Sequence, residues 1–233
     1  YNNGPYGHDP LGLINDINKI KREHILTISK SLIYKKKNLV ISGKFPNNID
    51  NYIKELTSFK GIDIIESSQD KVTDKNKSDL INKPKRSIIT TSINTQQVVL
   101  LLGKATIKCD NKADILLRLI SCYLGYGMSS VLFKVLREKY GVVYEAGVYH
   151  PIRENQTPFI MHASTTEEKA NLTLQLLKQC WEKVIDSEIS EKELEILKLK
   201  YRGQIAHSLQ SISQRAEHKA HLMGIGLKSD HDK

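Results

Sequence analysis

Two residues of this chain, Arg137 and Tyr144, have the types and the spacing that suit chemistry on a carbonyl group. Arg137 falls at the end of a predicted helix and Tyr144 lies on the predicted strand that follows, with Gly141 marking the turn between them. A guanidinium and a phenol hydroxyl both donate hydrogen bonds, and donors directed at one oxygen stabilise the negative charge that develops when water attacks a carbonyl. Taken alone, however, this sequence pattern would also arise from an ordinary exposed arginine at a helix end and a half-buried tyrosine on a strand, without any catalytic role.

A glycine turn precedes this pair, in the run Gly125-Tyr126-Gly127-Met128-Ser129-Ser130. Glycines allow backbone amides to approach a phosphate, so a nucleotide-binding loop is one interpretation. No Gly-Lys-Ser/Thr follows, and the element before the glycines is a predicted helix instead of a strand. Both facts argue against a nucleotide site and favour a tight turn between two helices.

The first third of the chain predicts helices, one strand and a linker. Apolar residues in 13–33 recur mostly three or four apart, which predicts a helical segment or two short helices broken near Arg22. The apolar run at 38–43 predicts a buried strand, and a helix is expected through Ile53. Residues 60–86 are mostly polar and mixed in charge, which predicts an exposed linker between a first domain at 1–59 and a second at 87–233.

The second domain alternates strand and helix patterns that predict a layered α+β fold, with an antiparallel-rich sheet packed by helices. Capping boxes, in which a side chain and the backbone satisfy each other at a helix start, are predicted at Thr165 with Glu168 and at Ser190 with Glu193. A polar loop at 153–156 joins the last two predicted strands, which should form an antiparallel hairpin. Strands are expected at 88–91, 98–102, 142–150 and 159–163, and helices at 112–123 (capped by Asp110), at 128–139, after Thr165, and from Ser190 towards Met223.

Composition narrows the class of protein. The net charge of +9 comes with a general abundance of Lys, Asn and Ile and without an aromatic-rich binding motif, so a basic nucleic-acid adaptor is only a third-ranked possibility. No apolar run approaches the roughly 20 residues of a membrane span, and no signal peptide is visible. The three cysteines lack a Cys-x-x-Cys pair, which suits a reducing compartment such as the cytoplasm. Because the first residue is Tyr1, we expect a fragment of a longer polypeptide.

The eight histidines do not predict a metal site. His218 and His221 lie three apart on the last predicted helix, but no carboxylate stands where a zinc motif needs one. The remaining histidines that we considered are isolated, and we expect them to be surface residues or to be satisfied by ordinary hydrogen bonds: His8, His24, His150, His162 and His207.

From Gly125 to Tyr144 the chain combines the glycine turn, Met-Ser-Ser, Leu-Phe, Arg-Glu-Lys, Gly and Tyr in one order. This order resembles the second half of the catalytic unit in the insulinase/pitrilysin metallopeptidases, the family that includes mitochondrial processing peptidase. Residues 4–43 are similar to the end of that family's first domain, and residues 190–217 to its last long helix. Val131 departs from the pattern, because many members carry arginine there.

The resemblance implies a processing-peptidase/insulinase-like metallohydrolase fold and a zinc-dependent metalloendopeptidase that cleaves peptides in a chamber between two similar domains. Residues 1–59 would be the C-terminal part of the zinc-type domain, 60–86 a charged linker, and 87–233 most of the substrate-contacting domain. The family's His-x-x-Glu-His motif is absent from this sequence, so the resemblance places the zinc ligands of the full-length protein outside this chain. This chain alone would be inactive.

The resemblance also implies roles and partners. Arg137 would hold the substrate backbone and Tyr144 would stabilise the oxyanion. A peptide or unfolded protein would be the substrate, and a missing first-domain half or a homologous subunit would complete the site. The alternative is a non-catalytic peptidase-like subunit or core protein with a substrate-binding or structural role. Four residues of the glycine turn would border the substrate: Gly125, Gly127, Met128 and Ser129.

Overall fold

The structure is a computed structural model, and it describes residues 11–34, 38–57, 88–92, 95–109, 112–186 and 189–231 of the 233-residue chain. Internal contacts divide the chain into two units, Tyr1–Lys71 and Val72–Lys233. The predicted linker at 60–86 lies outside the described residues, and so does Asp110.

The first unit contains three helices, α1 (Ile14–Ile17), α2 (Arg22–Tyr34) and α3 (Ile49–Thr57). The predicted break near Arg22 is confirmed, since α2 begins at that residue. The predicted strand at 38–43 is wrong: these residues form no strand ladder with any other described residue. An apolar run becomes a strand only where a neighbour takes up its backbone hydrogen bonds, and the sequence pattern alone cannot supply that neighbour.

The second unit is built on an antiparallel sheet of three described strands, β1 (Val98–Ala105), β2 (Glu145–Tyr149) and β3 (Pro158–Thr165), in the order β1-β3-β2. The hairpin of β2 and β3 and the strand at 98–102 are confirmed, with ends that differ by a few residues. The predicted strand at 88–91 is wrong, because residues 88–92 pair with no described strand.

The two faces of this sheet differ, because side chains alternate along each strand. On β3, Phe159, Met161 and Ala163 are buried against the helices, whereas His162 on the other face is half-buried. Leu101, paired with His162, is 67% exposed. Helices on one face of an antiparallel sheet make the layered α+β architecture that the sequence predicted, and this prediction is confirmed.

Helices α4 (Asp114–Gly125), α5 (Ala170–Asp186), α6 (Glu191–Ser208) and α7 (Ile212–Gly224) and a π-helix (Phe133–Lys139) complete the second unit. The helix expected at 112–123 therefore begins two residues later and ends at Gly125. The single helix expected from Ser190 to Met223 is wrong: α6 ends at Ser208, and α7 starts after its own capping box. A polar capping residue at Ser211 offers the backbone a new helix start, which explains the break.

Only one of the two predicted capping boxes exists. Ser190 and Glu193 form theirs at the start of α6. Thr165 instead ends β3, where it is buried and its hydroxyl donates a hydrogen bond to the carbonyl of Val142, 2.5 Å away. The Thr165 hydroxyl therefore forms a tertiary hydrogen bond instead of a helix cap, and no local sequence pattern predicts that bond.

The core of the second unit lies between the helical face of the sheet and the helices. Its fully buried members include Leu124 on α4, Leu136 on the π-helix, Met161 on β3 and Leu177 on α5. Each buried aliphatic side chain contributes about 1.5–3 kcal/mol relative to an exposed one. This core fixes the π-helix against α5 and β2, and hence the segment that carries Arg137 and Tyr144.

Candidate functional site

The π-helix ends in a glycine turn that directs the chain from Arg137 towards Tyr144. The amide of Val142 donates to the carbonyl of Leu136, 2.9 Å away, and Gly141 has a φ of +58°, in the left-handed region that favours glycine. The ammonium of Lys169 donates to the carbonyl of Gly141 at 3.1 Å. The left-handed glycine and these two hydrogen bonds thus fix the turn.

The start of the next segment is also fixed. Val142 and Val143 are buried, and the Thr165 hydroxyl donates to the Val142 carbonyl. The amide of Tyr144 donates to the carbonyl of Ser164 at 2.9 Å, which continues the β2–β3 ladder by one residue. The backbone of Tyr144 is therefore part of the sheet, although β2 itself begins at Glu145.

The structure brings the side chain of Arg137 to the backbone of Tyr144. The Nη1 group of Arg137 donates to the backbone carbonyl of Tyr144 at 3.1 Å. The guanidinium also lies over the ring of Phe133, with Cζ 5.4 Å from the ring centroid, which adds a cation–π attraction. The sequence did not reveal that Arg137 positions the backbone of Tyr144 as well as presenting donors.

This arrangement leaves donors for a ligand. A guanidinium has five N–H donors, and the Tyr144 contact uses one of them. The side chain of Tyr144 is 58% exposed, and its hydroxyl has no hydrogen-bond partner among the described residues. Two groups that can donate hydrogen bonds therefore lie on one turn, and π-helical segments often occur at functional sites.

The glycine turn after α4 is positioned by packing. A Cβ on Gly125 would lie 2.5 Å from the amide nitrogen of Val148 on β2, so only glycine allows α4 to approach this strand. Val148 is four residues beyond Tyr144, which corresponds to about 13 Å along an extended strand. No described contact joins the glycine turn to the Arg137–Tyr144 pair, so Gly125 is a packing residue in this structure.

The remaining residues of that turn are accessible. Gly127 has a φ of +71° and open space around it, Met128 is 75% exposed, and Ser129 is exposed. Ser130 is buried, and its hydroxyl accepts a long hydrogen bond of 3.4 Å from the amide of Phe133. The accessible residues are able to contact a ligand, but the geometry contains no feature that marks them as a binding site.

A lysine borders the same turn. The ammonium of Lys200 on α6 lies 5.9 Å from the ring centroid of Tyr126. Burial lowers the pKa of Lys200, and the positive charge of Lys134 lowers it further, while Cys122 acts in the opposite direction. The cation–π contact offsets part of the cost of removing this charge from water.

The described residues do not fit a zinc site. They contain no group of three or more His, Cys, Asp or Glu side chains able to share a metal ion. Of the histidine pair on α7, His221 places its Nε2 3.3 Å from the carbonyl of Ile152. The described part of the chain also contains no helix long and apolar enough to cross a membrane.

A buried charged cluster, which the sequence did not predict, links α4 to the end of β2. Asp114 accepts hydrogen bonds from Nε of Arg118 at 2.6 Å and from Nε2 of His150 at 3.0 Å. Burial alone would raise the pKa of Asp114, but the His150 hydrogen bond and the Arg118 guanidinium outweigh it and hold this pKa below the ordinary value. The only sequence signal was the i,i+4 spacing of Asp114 and Arg118.

Comparison with known proteins gives a consistent family. The model described as "Peptidase M16 inactive domain" matches residues 37–201. An uncharacterized zinc protease of Rickettsia bellii is 30% identical over 107 residues, which cover 46% of this chain and 25% of that protein. The chain thus spans about a quarter of the length of this curated relative.

Two solved structures share the fold. The peptidase M16 inactive domain from Pseudomonas fluorescens superposes with a TM-score of 0.67 at 21% identity, covering 87% of this chain and 48% of that one. A protease from Helicobacter pylori gives a TM-score of 0.69 at 18% identity, covering 94% and 53%. The family match includes the whole segment from Gly125 to Tyr144. The chain therefore belongs to the M16, or insulinase/pitrilysin, metallopeptidase family through its inactive domain, which confirms the resemblance found in the sequence.

Proposed function

We propose that this chain provides the substrate-holding and oxyanion-stabilising half of a zinc-dependent metalloendopeptidase. The observation that carries the proposal is the pairing of Arg137 with Tyr144, in which the arginine fixes the tyrosine backbone at 3.1 Å while the phenol remains exposed. Arg137 holds the backbone of a bound peptide, and the Tyr144 hydroxyl donates to the carbonyl oxygen as it becomes negative.

The other half of the reaction lies outside the described residues. They do not provide a zinc site, so the proposal assigns no step to a metal here. The solved relatives are about twice as long as the matched segment, which supports a partner half, supplied by the same polypeptide or by a homologous subunit. An extended peptide held between the halves is the substrate that we propose.

The test is the hydrolysis of an internally quenched peptide by the full-length protein. Tyr144→Phe should lower kcat by about 10–1000-fold, as expected for loss of one oxyanion donor. Tyr140→Phe is the matched control, because Tyr140 is an exposed tyrosine four residues earlier on the same turn. Equal rates for the Tyr144→Phe protein and the unmodified protein would remove Tyr144 from the mechanism.

The alternative is a non-catalytic subunit that binds peptides or has a structural role. The description of the matching family model as an inactive domain favours it. In that case the full-length protein would bind a labelled peptide without cleaving it, and Arg137→Gln would weaken binding. Measured cleavage that depends on Tyr144 would exclude this alternative.

A further inference from the structure

A cleft of about 180 Å³ opens between α4, α6 and α7, away from the Arg137–Tyr144 pair. Arg118, Gln204 and His218 line it together with Ile152, which lies beyond the end of β2 opposite to Tyr144. The volume corresponds to about six water molecules or one small organic molecule, since a cavity of about 150 Å³ is enough for benzene. Polar and apolar side chains both face this space.

Arg118 enters the cleft in a fixed orientation. Its Nε group donates to Oδ2 of Asp114 at 2.6 Å, and its side chain is 14% exposed. Among the described residues, none accepts a hydrogen bond from its two terminal amino groups. Those two groups form the planar edge that binds carboxylates in a bidentate manner, and the Asp114 contact has already ordered the side chain.

The cluster behind Arg118 also includes His150, which contacts Asp114 through its ring. Both ring nitrogens of His150 face acceptors: Nε2 lies 3.0 Å from Oδ1 of Asp114, and Nδ1 lies 3.0 Å from the carbonyl of Pro158. One carboxylate, that of Asp114, therefore contacts both the Arg118 guanidinium and the His150 imidazole.

The lining of the cleft favours a negatively charged ligand. None of the described residues that line the cleft is an acid. The carbonyl of Ile152 is tied to α7 by the 3.3 Å contact with His221, which holds the apolar wall in place. An anion with a small hydrocarbon part matches both the charge and the lining.

We propose that this cleft binds a small carboxylate, which pairs with the terminal amino groups of Arg118 while its hydrocarbon part packs against Ile152 and Ile205. Gln204 supplies an amide donor beside it. The site is separate from the proposed peptidase function, and Tyr144→Phe leaves it unchanged. The carboxylate belongs to a free organic acid or to the C-terminus of a peptide.

The test is calorimetric titration of the full-length protein with benzoate and with benzamide, which have the same shape and differ in charge. Benzoate should bind at least about ten-fold more tightly, as expected for a charge-assisted pair. A dipeptide with a free C-terminus, compared with its amidated form, identifies a peptide source if it binds more tightly than benzoate. Equal binding of benzoate and benzamide, or no binding of any carboxylate, would overturn the proposal.

Two substitutions test whether benzoate binds in this cleft. Gln204→Glu puts a negative charge into the cleft without touching Asp114, and it should weaken benzoate binding by at least about ten-fold. Arg118→Lys keeps the charge but loses the planar edge, and a similar loss is expected if the protein folds. Arg202→Gln, at an exposed position on α6 outside the cleft, is the control and should change nothing. Unchanged binding in Gln204→Glu would contradict the assignment.

Discussion

The buried cluster around Asp114 gives the sharpest stability prediction, through the substitution Asp114→Asn. The carboxylate is almost fully buried and accepts two short hydrogen bonds, 2.6 Å from Arg118 and 3.0 Å from His150. An asparagine of the same shape leaves the Arg118 guanidinium without a negative charge, and leaves one of the two partners without an acceptor. Breaking a buried pair in this way costs about 3–5 kcal/mol of the free energy of unfolding.

The assay is thermal and urea unfolding at neutral pH. For a domain of this size each kcal/mol shifts Tm by about 2–4 °C, so we expect a decrease of about 6–20 °C. Glu154→Gln is the control, because Glu154 is an exposed carboxylate on the loop between β2 and β3, and it should stay within about 0.5 kcal/mol. A loss below about 1 kcal/mol for Asp114→Asn would refute the view that this cluster stabilises the fold.

The pH dependence follows from the direction of the pKa shift. The pKa of Asp114 in the folded protein lies below its ordinary value of 3.8. Its contribution is therefore fully present above pH 3.8 and is lost as the pH falls through the lower, folded-state value. The difference in unfolding free energy between the unmodified protein and Asp114→Asn should be constant between about pH 5 and 7, then shrink by up to about 1.4 kcal/mol per pH unit in acid. A difference that grows in acid would contradict the sign of this shift.

Two further predictions concern single positions. Gly125→Ala should destabilise the protein by about 1–3 kcal/mol in urea unfolding, because the added Cβ lies 2.5 Å from the Val148 backbone. Gly127→Asn should stay within about 0.5 kcal/mol, since its surroundings are open and asparagine tolerates the left-handed region; equal effects at the two glycines would contradict the packing role of Gly125. Ser190→Ala removes the capping box of α6 and should cost about 1 kcal/mol, whereas an unchanged unfolding midpoint would show that this cap contributes nothing.

Features with local causes could be predicted from the sequence. The capping box at Ser190 needs only the residue three positions later, and the hairpin of β2 and β3 needs only two nearby alternating runs. The meeting of Arg137 with Tyr144 also depends on a short segment, because one helix end, one glycine turn and one strand start bring them together. For this reason the sequence alone could suggest Arg137 and Tyr144 as a candidate site.

Features with distant causes could not be predicted. Thr165 begins a good capping motif, but its hydroxyl donates to the carbonyl of Val142, 23 residues earlier. Asp114 and His150 are 36 residues apart, and no periodicity connects them. The requirement for glycine at position 125 comes from the close approach of β2, which the sequence around Gly125 does not show. In each case a tertiary neighbour decides what the residue does.

The most direct test of the central claim is a double-mutant cycle on kcat/KM of the full-length protein, with Arg137→Gln, Tyr144→Phe and the double variant. Arg137 holds the Tyr144 backbone at 3.1 Å, and both side chains contact the same bound peptide in the proposed mechanism, so their effects should be coupled. The account predicts that the double variant loses less than the product of the two single losses, with a coupling of about 0.5–3 kcal/mol. Two losses that simply multiply, or a Tyr144→Phe protein with full activity, would contradict it.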